Sequence, residues 1–497
     1  MNQHTLFSLV FLAACTNTNE DKQSTYTYYG DTKSILDTHC ATCHQTDDIA
    51  PFPLTTYEEI EPLLTVIRTS IETGSMPPWK PSDECNDYKG NFDLTADEKS
   101  ILLDWIDSDA PIGDPENYIE PSVDTSRTFE TNMSLQIPES YTPTRGPDDY
   151  RCHLIPWPNE ETSYVTGINV IPEQTSIVHH VILFLVGPDQ VEQFQAYDDA
   201  EEGPGYTCYG GPRANTGDTT GSLGLGDINP SELLSTLNEL GLTIGDLQSG
   251  NYTSDQLIEL FDTLGASTGG AIGGFNQIGN WVPGTPPLPY PEGTGIRVEP
   301  GSMIVAQMHY NTLSADPVSD QSSFQIATTP EVEKEAILML LTDFGWVSQG
   351  MLGSEMTIPA GESNVEHGTI AANDSVFVRS ARRSLGLEAD APLMLYTAGA
   401  HMHTLGVSQH SEIQHEDGGN TCLLDIQDWD FSWQGAYHFS EPIPFDVGDS
   451  ISMTCSWDNS ASNQQIIDGT ALEPIDVQWG EGTTDEMCLG GFYVTSQ

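Results

Sequence analysis

From about residue 147 to residue 497 the chain is written in short runs of Val, Ile, Phe and Tyr, separated by clusters of Gly, Pro, Asn and Asp. This pattern constrains the fold more than any other feature. Runs too short for helices and punctuated in this way pack as strands in two-layered sandwiches. The expected strands include 163–171, 176–186, 302–312, 335–342, 392–410, 449–460 and 488–496, with no long amphipathic helix among them. A chain of 497 residues with 37% hydrophobic composition can bury several cores. Two all-β domains fit the span, 147–332 and 333–497. A Gly-rich insertion at 188–275 breaks the pattern and offers two short helices. One is capped by Asn229 with Pro230 at its first position, and the other opens on a Thr253/Gln256 capping box. The insertion is expected to be a surface excursion rather than a lid or docking surface.

The region before this body has a different texture. Residues 31–115 read as a small all-α domain, joined to the body by a Pro/Ser/Thr-rich linker at 116–146. Within it, Cys40-Ala41-Thr42-Cys43-His44 is C-x-x-C-H, in which two thiols add to haem vinyl groups and the adjacent imidazole ligates the iron. Residues 32–39 lead into the motif helically. Gly74-Ser75-Met76-Pro77-Pro78-Trp79 puts a thioether on a Pro-braced loop, so Met76 is the expected sixth ligand. Thr95 and Glu98 form a capping box for a helix whose Ile101, Leu102, Trp105 and Ile106 make an apolar stripe against the haem edge. The stretch resembles the cytochrome c modules fused to secreted bacterial oxidoreductases. His/Met ligation would suit one covalently bound haem c to electron transfer.

At the N-terminus, the apolar run 5–14 stops at Cys15, well short of the roughly 20 residues a membrane-spanning helix needs. Leu12-Ala13-Ala14-Cys15 resembles a bacterial lipobox, so residues 1–15 read as a lipoprotein-type signal with Cys15 as the lipidation site, and 16–30 as a polar tether. The expectation is an exported bacterial protein, periplasmic or at the cell surface, anchored to the outer membrane through lipid alone. Of nine cysteines, Cys15 is the lipid candidate and Cys40 and Cys43 the haem pair. The remaining six, at 85, 152, 208, 422, 455 and 488, permit disulfides in an oxidising compartment without fixing their pairing.

Fifteen Lys and Arg against 74 Asp and Glu give a formal charge of -59, which repels phosphate backbones and excludes nucleic acid as a main partner. Nothing after Arg383 is Lys or Arg, whereas 384–497 holds 18 carboxylates. That imbalance serves solubility, with steering of cationic ligands as a second use.

Histidines fall at meaningful places in the β-rich body. His401 and His403, at i and i+2 on an expected strand, point to one face and can share an ion. His179 and His180 sit inside a very apolar run. Adjacent strand residues face opposite ways, so joint ligation there needs a bulge. His309 ends a third apolar run, and Met487 offers a soft sulfur. Imidazole with thioether selects copper over zinc, magnesium or calcium. His438, Trp429, Phe431 and Trp433 read as sandwich core, His410 and His415 as solvated, and His153 and His367 carry no assignment.

The segments HHVILF, QMHY, AHMHTLG and DEMC, with DDYRC at Cys152 and TIPAGE around Pro359, resemble in order and context the copper type II, ascorbate-dependent monooxygenases. That family includes peptidylglycine alpha-hydroxylating and dopamine beta-monooxygenases. The resemblance spans about 150–494. It implies two jelly-roll-like β domains facing across a wet cleft, each with one copper. His179, His180 and His309 would hold an electron-storing ion. His401, His403 and Met487 would hold the ion where O2 and substrate meet and an activated C–H bond is hydroxylated. The resemblance also implies a Cys455–Cys488 disulfide and leaves Cys152 without its family partner. Where the peptide-amidating branch has a carboxylate-clamping Arg, Asn and Tyr, this chain has Gly399, Leu489 and Gly491, so a neutral or cationic small molecule is expected as substrate. The haem domain suggests an internal donor in place of ascorbate, itself fed by an external donor. Two other functions compete: a copper-carrier or electron-transfer protein without substrate chemistry, and a zinc hydrolase, which gains nothing from Met487.

Overall fold

A computed structural model of the chain describes residues 26–41, 43–46, 50, 52–121, 129–208, 211–214, 230–264, 276–282, 288–312, 315–347, 354–431, 433–467, 470–480, 482 and 484–497. Cys15, Thr42, Asn229 and the signal segment lie outside them. The chain divides into two compact units, one of residues 1–77 with 92–122, the other of 78–91 with 123–497.

The first unit is helical, with Lys33–His39, Leu64–Thr73 and Ala96–Ile106 as its main helices. The last of these starts where its capping box requires: the Glu98 amide donates to Thr95 Oγ1 at 3.2 Å and the Thr95 amide donates back to Glu98 Oε2 at 2.9 Å. Its stripe buries Leu102 and Trp105 fully against Leu36 and Ile60, with Ile101 and Ile106 at the margin. The core reaches further upstream than 31. Tyr28, in the helical turn Tyr28–Thr32, is buried between Tyr57 and Trp105, with ring centroids at 5.3 and 6.1 Å. Residues 26–30 are therefore packed structure and not tether, because three aromatic rings bury more apolar area together than apart.

The second unit is mostly β. A nine-stranded sheet runs Met133–Gln136, Ser323–Thr329, Ser163–Ile171, Thr294–Val298, Lys334–Leu341, Leu489–Ser496, Leu393–His401, Ala436–Phe445, with Leu288–Pro289 paired beside Ser163–Ile171. One half of it packs on a five-stranded sheet of Tyr206–Thr207, Asp148–Pro156, Met303–Asn311, Val178–Val186 and Asn276–Trp281, through Val181, Leu183, Ala306, Met308, Phe324 and Ile326. The other half packs on a four-stranded sheet of Ser363–Ala372, Ser450–Asp458, Gly406–Gln414 and Asn420–Ile426, through Leu395, Phe492, Ile413, Leu424 and Ile451. Two sandwich layers thus share one sheet. It crosses position 332/333 by the parallel pairing of Lys334 and Glu335 with Thr294 and Gly295.

Three expectations need correction. The linker expected over 116–146 contributes the Met133–Gln136 strand, and Ile137 and Tyr141 are buried beyond it, since unpaired apolar residues there complete the shared sheet's edge. The insertion is no surface excursion. Its helices Pro230–Glu239 and Ser254–Leu264 bury Leu237, Leu257, Ile258 and Leu260 in the same core as Phe377 and Val378 of the Val376–Ser384 helix. Asp255 and Arg379 form an ion pair across that packing. The region 31–115 is not one body either. Its segment 78–91 belongs to the second unit, held by the Cys85–Cys422 disulfide, by Trp79 on Tyr437 at 5.2 Å and by Tyr88 on Phe439 at 6.0 Å. The other disulfides are Cys152–Cys208 and Cys455–Cys488, so Cys152 does have a partner, contributed by the insertion. Three disulfides are compatible with an exported protein. No described helix is long and apolar enough to cross a membrane.

Candidate metal centre

The first imidazole group is built on the five-stranded sheet. His309 lies two residues before the end of the Met303–Asn311 strand and His180 is its register partner on Val178–Val186. The register slips between Val178 and His180, so His179 sits in a bulge and its ring can turn to the side His180 faces. The alternation rule alone forbids that placement. Ligating nitrogens of all three lie within 4.8 Å of one another.

Hydrogen bonds fix the tautomers. His309 Nε2 lies 2.8 Å from Asp148 Oδ1, and a carboxylate only accepts, so Nε2 carries the proton and Nδ1 keeps its lone pair. That Nδ1 is 3.2 Å from His180 Nδ1, which is 3.4 Å from His179 Nδ1. Burial pushes His179 down to about 4 and His180 well below the usual imidazole range, with the neighbouring His309 adding to both. Three imidazoles with nitrogens turned on one point suit a cation, and Asp148 supplies the orienting acceptor such a ligand uses. Tyr150 stacks on His309 at 4.1 Å and 7°.

The second group sits where the Leu393–His401 strand ends. His401 is its last residue, whereas Met402 and His403 lie beyond it, so the expected strand pairing of His401 and His403 is corrected to a strand end plus a turn. The rings still meet, with centroids at 5.2 Å. The turn is held by Glu486, fully buried, which accepts from the amides of His403 (2.9 Å) and Leu405 (2.6 Å) and from the Trp457 indole (2.9 Å). Burial drives this carboxyl up to about 7, although four donors oppose the rise. Because Glu486 precedes Met487, the same carboxylate ties the segment that carries the thioether into the Leu489–Ser496 strand to the imidazoles' turn. Cys488 adds a second tie through its disulfide to Cys455 and by accepting from Thr342 Oγ1 at 3.0 Å. Sequence inspection passed over Glu486, for which only its place inside DEMC was a signal.

Again the tautomers follow from acceptors. His401 Nδ1 donates to Gln434 Oε1 at 2.5 Å, the amide being oriented by Gln434 Nε2 donating to the Phe431 carbonyl at 2.8 Å. His403 Nδ1 donates to the Asp485 carbonyl at 2.9 Å. Both rings therefore keep Nε2 unprotonated, and burial holds both below the ordinary imidazole range, His403 at about 3. Two bare imidazole nitrogens and the thioether of the buried Met487, which lines the same cavity, are donor types that suit Cu(I).

Residues of both groups line one cavity of about 230 Å³, including His180, His309, His401, His403 and Met487. This cavity is partly open to solvent and stands where the resemblance implies a cleft. Phe431 spans it, stacked on His179 at 5.1 Å and edge-on to His403 at 6.0 Å. It belongs to the cavity and not to the sandwich core. Trp429 is buried beside it, donating to the His403 carbonyl at 3.1 Å.

In the first unit Cys40 and Cys43 are half-buried and form no disulfide, although every other described cysteine does. Burial, then the neighbouring Cys43, pushes the Cys40 thiol up to about 12. His44 Nδ1 donates to the Phe52 carbonyl at 2.9 Å, which again leaves Nε2 for a ligand. Met76 is half-buried beyond the left-handed Gly74 that ends the Leu64–Thr73 helix. These are the residue types by which a c-type haem is held. His39 is excluded from the set, because its nitrogens face the Phe92 carbonyl at 2.8 Å and Glu98 at 3.4 Å.

Other histidines have ordinary roles. His410 and His415 are partly exposed beside Asp425 and Asp449, His367 bonds the Thr357 carbonyl, His438 is half-buried and His153 is buried. No protein-family model matches the chain, and no curated protein matches it.

Proposed function

We propose that the protein is a copper-dependent monooxygenase that hydroxylates an activated C–H bond of a small organic substrate with O2, with electrons entering through a c-type haem on Cys40, Cys43, His44 and Met76. The observation that carries this reading is the pair of dissimilar donor sets, three imidazoles and two imidazoles with a thioether, opening on one cavity. Copper held at the two sets would supply one-electron chemistry and activation of dioxygen. The motif resemblance points the same way.

The chain's own groups have definite tasks in this reading. His179, His180 and His309 bind one ion, and Asp148 keeps the His309 proton on Nε2. His401, His403 and Met487 bind the other, with Gln434 and the Asp485 carbonyl holding protons on Nδ1. Glu486 positions the turn and the Met487 segment as one piece. Phe431 keeps water from the space between the groups.

The test is oxygen uptake by copper-loaded full-length protein, reduced through its haem, across a panel of amines, alcohols, ketones and amides. A hydroxylated product formed in proportion to oxygen consumed supports the reading. Copper binding without any oxygenated product turns the protein into a carrier or electron-transfer protein.

A further inference from the structure

The cavity's floor is a piece of the shared sheet, and its relief is set by two glycines. Gly399 on Leu393–His401 pairs directly with Gly491 on Leu489–Ser496, and Gly491 pairs on its other side with Leu340. One row away the pair is His401 with Leu489, and one row the other way it is Thr397 with Tyr493. All of these residues line the cavity. Side chains on one face recur every second residue, so the glycine pair leaves a trench between the His401 row and the Thr397 row. The space is real: a Cβ on Gly491 would meet nothing nearer than Leu340 Cδ2 at 3.7 Å, and one on Gly399 nothing nearer than the Gly435 carbonyl at 3.5 Å.

The chemistry of the walls is selective. Among the described residues lining the cavity there is no Asp, Glu, Lys or Arg, despite the chain's charge of -59. A charged organic group entering would lose its hydration with no Asp, Glu, Lys or Arg on the described lining to replace it. Two buried donors on the lining have no partner among the described residues, Thr397 Oγ1 and Trp479 Nε1, in side chains each 4% exposed. Thr397 lies at the far end of the trench from His401. Trp479 is bridged to Glu486, next to Met487. Buried donors are paired in folded proteins by protein, water or ligand.

We infer that the trench over Gly399 and Gly491 is the substrate groove, and that it takes an uncharged, mainly apolar molecule carrying a hydrogen-bond-accepting oxygen, held by Thr397 or Trp479. A volume of about 230 Å³ keeps the ligand small, below the roughly 300–1,000 Å³ of drug-sized pockets. This assignment rests on the monooxygenase reading for the word substrate, while the groove itself requires neither metal nor turnover.

Calorimetric titration of the full-length protein with four probes of similar size separates the cases: acetophenone, ethylbenzene, phenethylammonium and phenylacetate. Acetophenone should bind about tenfold more tightly than each of the others, the scale of one neutral hydrogen bond or more. Gly491→Val should lower acetophenone affinity at least about tenfold with the melting temperature held, because the added branch fills the trench. Thr397→Val, close in shape, or Trp479→Phe should shrink the preference for acetophenone over ethylbenzene, according to which donor holds the single oxygen. The inference is overturned if a charged probe binds as well as acetophenone, if Gly491→Val leaves the affinity unchanged, or if neither donor variant alters the preference. Probes binding as stated without any oxygenated product would leave the groove standing and remove only the function assigned above.

Discussion

Glu486 is the residue on which the second donor set hangs, since three N–H groups from the turn and the Trp457 indole converge on its carboxylate. Gln at this position offers one acceptor oxygen and an NH2, so at least one donor faces another donor. Glu486→Gln is expected to cost about 1–3 kcal/mol in chemical denaturation. It should also weaken copper at the His401/His403/Met487 set roughly 10–100-fold, the usual cost of losing an orienting partner, while the His179/His180/His309 set keeps its ion. Equal loss at both sets would show that Glu486 serves the fold generally. His153 gives a pH prediction away from these donors. Burial, then Arg151, lowers it to about 3, and its Nε2 has no partner among the described residues. A histidine depressed in the folded state is protonated more readily when unfolded, so its contribution is complete above about pH 6.5 and is lost as the pH falls toward 3. Between pH 7.5 and 5 the loss is about 2 kcal/mol. His153→Gln should remove that part of the acid sensitivity, and an unchanged pH slope would refute the assignment. Residue types were legible in the sequence, whereas tautomers were not, because Asp148, Gln434 and the Asp485 carbonyl reach the rings from distant positions.

At the scale of elements, periodicity found the strands and their order but not what joins them. Runs such as 163–171 became the strand Ser163–Ile171, and the His179/His180 pair demanded a bulge that the register supplies. The expected strand 392–410 instead breaks after His401, since the buried Glu486 takes amides that a continuing strand would have paired. The insertion was misjudged for a related reason. Its helices have polar caps that can be read locally, but the surface that covers Leu257 and Ile258 comes from 376–384, more than a hundred residues later. Segment 78–91 gives the sharpest prediction at this scale. Cys85→Ser with Cys422→Ser opens a closed loop of 337 residues, with an expected cost of roughly 2–5 kcal/mol in denaturation. Proteolytic cleavage should become fast within 78–91 while the strands stay protected. Protection unchanged in the double variant would mean that Trp79 and Tyr88 alone hold the segment.

For the whole molecule, charge is the property most visible in the sequence and least visible in any one contact. At -59 the folded chain repels itself more than an expanded one does, so screening should favour the folded state. The melting temperature is expected to rise by several degrees between roughly 0.02 and 1 M NaCl, over which the Debye length falls to about 3 Å. A melting temperature that falls over this range would assign the dominant electrostatics to specific ion pairs. The central claim is that two different donor sets each hold one copper beside a chain-bound haem. It is tested most directly by elemental and haem analysis of the purified full-length protein, with His309→Ala and Met487→Ala alongside. The account predicts two copper ions and one haem iron per chain, with one copper lost from the three-imidazole set in His309→Ala and copper at the other set weakened in Met487→Ala. Iron without copper, zinc in both sets, or copper content indifferent to either substitution would contradict it.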